Sequence, residues 1–276
     1  MRSVTRRARI AACAVGSSLA LVGVTATTSA RPSSTSLGPF RSPSMMRYLG
    51  HRRGNITAAV EHLTTGQMFV YRPGVREDTA SIIKVSILAT LLHQEQVAGR
   101  SLTTTERHIA AGMIEASDNN DATALWNEDG GSRGVNRFLR RVGLTQTTFD
   151  PSGAWGYTRT TPLDQIKLLR TLALRSHLLN RSAQAFELRL MAHVIPFDYW
   201  GVPAGVPRRV PVAIKNGWLP IRRVGWQINS IGDITGYGEH YLIAVMTDDN
   251  PSEKYGIATI DHIARILWGR MAPVIL

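Results

Sequence analysis

Thr79-Ala80-Ser81-Ile82-Ile83-Lys84-Val85-Ser86-Ile87-Leu88-Ala89-Thr90-Leu91-Leu92-His93-Gln94-Glu95-Gln96-Val97 organises the rest of this chain. From Ser81 to Val97 the apolar residues Ile82, Ile83, Val85, Ile87, Leu88, Leu91 and Leu92 fall on nearly every helical face. A helix that is apolar all round belongs inside a protein. At its start Ser81 and Lys84 stand three apart and so share a face. A serine needs a base to become a nucleophile, and a lysine stripped of water gives up its proton more readily. One Ser-x-x-Lys arises by chance about once in a chain of this length. Its plain reading is a helix start with a lysine reaching out to water. The six apolar neighbours of Lys84 favour the catalytic reading.

Outward from this helix the pattern changes twice. Upstream, Ile56–Leu63 and Gln67–Tyr71 read as strands joined by Thr64-Thr65-Gly66, a hairpin. A short helix is expected around Met45–His51. Downstream, from about Leu102 to Met191, helical patterns alternate with polar turns, the best helix starting at Pro162. Strand-like runs return at Val210–Ile214, Val224–Ile231 and His240–Thr247, separated by glycine-containing turns. Asn250-Pro251-Ser252-Glu253 then starts a last helix with Ile257, Ile260, Ile263, Ala264 and Leu267 as its apolar stripe. The order strands, helices, strands, helix predicts an α/β fold. Its antiparallel sheet would be built from both chain ends, with flanking helices and an inserted helical lobe. The expected limits are 45–276 for the domain, with sheet parts at about 45–100 and 205–276 and the helical lobe at about 101–204.

The first thirty residues read as a secretory signal peptide. Arg2, Arg6, Arg7 and Arg9 precede the apolar run Ile10–Val24, and Thr28-Ser29-Ala30 offers a small-residue cleavage site. Arg6-Arg7 resembles a twin-arginine export signal. Ile10-Ala11-Ala12-Cys13 resembles a lipobox but has no apolar stretch before it, so lipidation is not expected. The Ser-, Pro- and Arg-rich stretch 31–44 reads as a disordered linker. Cleavage after Ala30 removes the only cysteine, so the secreted or envelope-located protein would hold together through its core without a disulfide. The net charge of +12 falls by the four leader arginines to +8. The arginines that remain are scattered without an aromatic–basic repeat, which argues against nucleic acid and for a basic surface beside an anionic envelope polymer. A monomer with no membrane span after cleavage, no metal and no cofactor is expected.

Two further triplets carry chemistry. Ser117-Asp118-Asn119 sits where one helix ends and the next begins; a hydroxyl and an amide there can pass a proton and hold a carbonyl, although plain helix capping explains the same residues. Lys215-Asn216-Gly217 lies on the strand-like run Val212–Trp218, where a cation can hold a carboxylate and a glycine lets a ligand approach the backbone. The plain alternative is an edge strand with a protective lysine. Lysine usage singles out the same positions. Of 32 basic residues only 84, 167, 215 and 254 are Lys, and lysine, unlike arginine, can release its proton.

Ser81-x-x-Lys84, Ser117-Asp118-Asn119 and Lys215-Asn216-Gly217, in that order, resemble the S-x-x-K, S-D-N and K-T-G set of class A β-lactamases and penicillin-binding proteins. Thr160-Thr161-Pro162 and the Ala244–Asp248 strand resemble that family too, so the likeness spans about Asn55 to Leu267. The resemblance implies an α/β sandwich and an acyl-enzyme on Ser81, with Lys84 as its base and Ser117 relaying a proton to the leaving nitrogen. It further implies that Asn119 and Asn216 contact the substrate, that Lys215 holds a carboxylate, and that Gly217 and Trp218 line the site. The oxyanion hole would be formed by the N–H groups of Ser81 and Trp218.

Two departures stand out. Asn216 replaces the family's usual hydroxyl residue. The stretch Thr145–Arg159, where class A enzymes carry the glutamate that activates the deacylating water, has no Glu and only one acid, Asp150. Three functions follow as alternatives: β-lactam hydrolysis with slow deacylation, a cell-wall D,D-peptidase or related amide or ester hydrolase, and a non-enzymatic envelope-binding or sensor protein. The intact Ser81, Lys84, Ser117 and Lys215 argue against the last.

Overall fold

A computed structural model describes residues 35–271. The signal peptide and residues 31–34 of the expected linker lie outside the described residues. Eight strands and eight α-helices follow in chain order among the described residues. They begin with β1 (Thr35–Ser36), α1 (Pro43–Gly50), β2 (Ile56–His62), β3 (Gln67–Tyr71), β4 (Glu77–Asp78) and α2 (Ile83–Val97). The middle holds α3 (Thr104–Glu115), α4 (Asn119–Glu128), α5 (Gly131–Val142), β5 (Arg159–Thr160), α6 (Pro162–Ala173) and α7 (Arg181–Met191). The chain closes with β6 (Val212–Ile221), β7 (Gly225–Gly236), β8 (Glu239–Asn250) and α8 (Glu253–Met271).

The main sheet runs β1-β3-β2-β8-β7-β6, so both ends of the chain meet at the β2–β8 pair. Every pairing in it is antiparallel except β1 with β3. Alternation along the strands sorts two cores. Leu242, Ala244 and Met246 of β8 face the helices that follow β3, while Tyr241, Ile243 and Val245 face α1 and α8. The result is three layers, with a sheet between two helical ones. Burial on both faces explains why β2 reads as a continuous run with no exposed position.

Helix α2 is the central rod of the larger core, with 12 of its 15 residues buried. Around it α3 starts with a capping box between Thr103 and Glu106, and α6 starts with a Thr161 cap and Pro162 in its first turn. α6 also packs on β2 and β8, and α7 on β6, so the inserted helices are continuous with the sheet layer. The stretch 35–44 departs from the linker expectation. Thr35–Ser36 adds a parallel strand to β3, and Phe40 is buried against Tyr71, because one large ring with a cleft to fill outweighs a polar composition.

Candidate active site

Ser81 lies on a 3-10 turn, Ala80–Ile82, that leads directly into α2. This turn is held from two sides and by a hydrogen bond of its own. The Thr79 N–H donates to the Thr158 carbonyl (2.7 Å), and Ile82 N–H donates back to the Thr79 carbonyl (3.3 Å). From β7, the buried Asn229 amide donates to the carbonyls of Asp78 (2.7 Å) and Thr79 (2.9 Å). Ala80 has φ +46°, a left-handed conformation that costs a non-glycine residue energy and persists only where its surroundings enforce it. Ser117 has φ +55° in the same sense.

Strand β6 passes hard against the turn. A Cβ built on Gly217 would stand 2.7 Å from the Ser81 nitrogen, 2.9 Å from that of Ile82 and 2.9 Å from the Thr79 carbonyl oxygen. Only a glycine allows that approach. Gly217 pairs with Asn229 across β6 and β7, so one rung of the sheet supports the Ser81 turn twice.

Lys84 and Lys215 are both fully buried and converge on Ser117. Lys84 Nζ donates to the Ser117 carbonyl (2.6 Å), to Ser117 Oγ (3.2 Å) and to Asn119 Oδ1 (2.8 Å). Lys215 Nζ donates to Ser117 Oγ (2.9 Å) and to its own neighbour's carbonyl, Asn216 O (3.2 Å). Burial, and then the charge of Lys215, lower the Lys84 pKa to about 7. Burial lowers that of Lys215 to about 8, offset in part by Asp198. Asp198 is itself pushed up by burial against the pull of both lysines, and neither of its buried carboxyl oxygens has a hydrogen-bond partner. These groups can hold, pass and return one proton around a single hydroxyl.

The residues singled out from sequence fall into two groups. Lys84, Ser117, Asn119 and Lys215 form one hydrogen-bonded cluster, and Ser81 and Gly217 meet beside it. Trp218 follows Gly217 on β6, half-buried, with its ring edge-on to Phe197 (6.2 Å) and Trp200 (6.1 Å). Asn216 is placed differently from expectation. Its amide nitrogen donates to the carbonyls of Asp198 (2.7 Å) and Trp200 (2.9 Å), so it clasps the preceding loop and has no donor left for a substrate. Alternation along β6 turns it away from the side Lys215 and Gly217 share. Asp150 closes a local turn by accepting from the Ser152 N–H (2.9 Å) and hydroxyl, which hold its carboxyl low; it bonds no residue of the cluster.

Three contributors escape a reading by motif. Asn229 steadies the Ser81 turn, and Asp198 lies near the lysine pair. Trp155, in the loop Thr145–Arg159, stands with its ring centroid 5.2 Å from Lys84 Nζ and its indole N–H directed to Thr123 Oγ1 (3.3 Å). A tryptophan between Ala154 and Gly156, in a loop that also carries Phe149 and Tyr157, is the signal the sequence offers.

The model of the family described as the Beta-lactamase enzyme family matches residues 98–271, a span that begins after the Ser81–Lys84 turn. Among curated relatives, a "Putative lipoprotein LppW" of Mycobacterium tuberculosis is 27% identical over 218 residues, covering 77% of this chain and 69% of that protein. Among solved structures, a β-lactamase from Chitinophaga pinensis superposes with TM-score 0.73 at 20% identity, covering 82% of this chain and 97% of that one. The structure titled PBP-A gives TM-score 0.74 at 17% identity, covering 87% and 98%. The TLA-1 extended-spectrum β-lactamase gives 0.74 at 19%, covering 83% and 97%. At these identities the likeness to solved structures speaks for the fold.

Proposed function

Because this chain belongs to the β-lactamase enzyme family, we propose that it is an active-site serine hydrolase that forms an acyl-enzyme on Ser81 with β-lactams and releases it slowly. The observation that carries this reading is the pair of buried lysines bonded to one hydroxyl, Ser117 Oγ. In the proposed cycle the Ser81 hydroxyl attacks the carbonyl carbon while its proton passes to neutral Lys84. Ser117 relays that proton to the leaving nitrogen, the C–N bond breaks, and an ester to Ser81 remains. Lys215 supplies the positive charge for a substrate carboxylate. The strained turn and the nearness of β6 keep Ser81 in one place, which favours attack over reorganisation.

Completing turnover needs water and a base to activate it. Trp155, which cannot accept a proton, stands in this loop with its ring centroid 5.2 Å from Lys84 Nζ. That observation favours a second reading of the same site, a cell-wall D,D-peptidase or related amide or ester hydrolase in which an acceptor other than water takes the acyl group. Either activity fits an exported protein at the cell envelope. No helix among the described residues is long and apolar enough to cross a membrane, and the mycobacterial relative carries a lipoprotein name.

Intact-mass analysis of the protein with benzylpenicillin over time tests the proposal. Addition of one penicillin mass, abolished in Ser81→Ala with the fold retained, is the expected result. Labelling that survives in Ser81→Ala sinks it.

A further inference from the structure

A cavity of about 620 Å³ lies between the C-terminal half of α2 and the face of α5 that packs on it. Its apolar walls are Val97 and Ala98 of α2 and Phe138 of α5, and Gly134 contributes no side chain to fill it. Phe138 is buried at the base of α5, whereas Val97, the last residue of α2, is 70% exposed. A helix rises about 1.5 Å per residue, so Val97 stands about 20 Å along α2 from Lys84. The cavity is therefore apart from the catalytic cluster. Its volume and largely apolar lining are those of a small-molecule site.

The polar groups of the lining divide into those the fold has used and two that it has left over. The Thr90 hydroxyl donates to the Ser86 carbonyl (2.7 Å), and the Gln94 amide donates to the Asp129 carbonyl (3.0 Å). Buried His93 faces the Leu178 carbonyl with Nδ1 (2.8 Å), which makes that nitrogen the donor. Its Nε2 therefore accepts from the Arg141 guanidinium (2.8 Å), and a histidine bonded this way sets no negative charge against the arginine. Arg137 and Arg141, exposed and one turn apart on α5, are in no ion pair among the described residues. No acidic side chain lines the cavity. Arg141 also borders a second cavity, of about 260 Å³. There Lys167 and Arg170 are paired with Asp164 and Glu61, while Arg175 is in no ion pair either. Positive charge without a protein partner thus gathers at one end of an apolar hollow.

We propose that this cavity binds an anionic amphiphile, whose apolar chain lies against Val97, Ala98 and Phe138 and whose carboxylate or phosphate head is held by Arg137 and Arg141. A guanidinium matches either head with two parallel N–H···O bonds, and no acid of the lining competes for it. Covering exposed Val97 with a chain removes apolar surface from water, which favours an amphiphile over a bare anion. The second cavity adds the charge of Arg175 beyond Arg141. Neither Ser81 nor its partners take part, so the inference stands or falls apart from the proposed acylation.

Isothermal titration calorimetry with four probes, each below its micelle-forming concentration, tests the proposal. Laurate and dodecyl phosphate carry both chain and charge, dodecyl maltoside carries the chain alone, and inorganic phosphate carries the charge alone. One equivalent of laurate or dodecyl phosphate is expected to bind at least tenfold more tightly than either control, and the tighter of the two identifies the head. Arg137→Gln, which breaks no ion pair of the fold, should weaken that binding at least fivefold. Val97→Asp should weaken it as much, and Val224→Asp, an equally lone exposed residue on the β6–β7 turn, should leave it unchanged. Binding of dodecyl maltoside as tight as that of the anionic probes overturns the proposal, as does inorganic phosphate matching dodecyl phosphate. Binding of neither anionic probe, or binding that Arg137→Gln and Val97→Asp leave unaltered, overturns it too.

Discussion

Lys84 and Lys215 share one acceptor, the hydroxyl of Ser117, at 3.2 and 2.9 Å. Burial is the main cause that lowers both pKa values, to about 7 for Lys84 and about 8 for Lys215; the charge of Lys215 lowers Lys84 further, while Asp198 offsets part of the fall at Lys215. This arrangement makes the site sensitive to pH within the physiological range.

Acylation should follow a narrow bell. Below pH 7 Lys84 keeps its proton and cannot accept that of Ser81, so the rate falls toward acid. Above pH 8 Lys215 loses the charge that holds a carboxylate, so the rate falls again. Lys215→Ala removes a cation that lowers the Lys84 pKa, so the rising limb should move to higher pH. Acylation constants from pH 5 to 10 check this; a limb that stays in place in Lys215→Ala contradicts the coupling.

Slow deacylation should trace to Trp155. A general base contributes roughly 10²–10⁴-fold, and the indole beside Lys84 offers none. The parent should show a burst of nitrocefin hydrolysis followed by slow turnover. Trp155→Glu should speed the second phase at least tenfold, and Trp155→Phe should not. Steady turnover of the parent without a burst would show that another base serves the water.

Gly217→Ala should disable Ser81 without unfolding the protein. The new methyl would lie within 3 Å of two backbone nitrogens and a carbonyl oxygen of the Ser81 turn, so turn and strand must part. Overpacking of this kind costs about 1–3 kcal/mol. The acylation constant should drop at least tenfold with a melting temperature a few degrees lower. Unchanged acylation would mean that the contact does not position the serine.

Stability should depend on pH through Asp129, whose buried carboxyl has no hydrogen-bond partner and is pushed up to about 9 by burial and by Glu128. A group raised in the folded state favours folding fully below its unfolded value, and that contribution is lost as pH rises through about 9. Asp129→Asn has no proton to lose. Urea midpoints at pH 5, 7 and 9 should show the variant gaining on the parent as pH rises. A constant difference across the three would mean that Asp129 does not titrate in this range.

Much of the architecture was legible in the chain because it is written in local periodicity. The all-round apolar pattern after Ser81 specifies a buried helix, short continuous and mostly apolar runs specify β2 and β8, and caps such as Thr161-Pro162 specify helix starts. The meeting of Lys84, Ser117 and Lys215 was accessible only as a resemblance, since no local rule joins residues 98 positions apart. Tertiary structure decided what each polar side chain does with its hydrogen bonds. Asn216 turns from the cleft to hold two carbonyls 16 and 18 residues upstream, and Asn229 reaches back some 150 residues to steady the Ser81 turn. Phe40 draws a polar-looking stretch onto the sheet, and Trp155, an indole that cannot accept a proton, stands beside Lys84. The physical reason is common to all four. A side chain's residue type sets which bonds and contacts it can make, and only the packed chain determines which partners are left within reach.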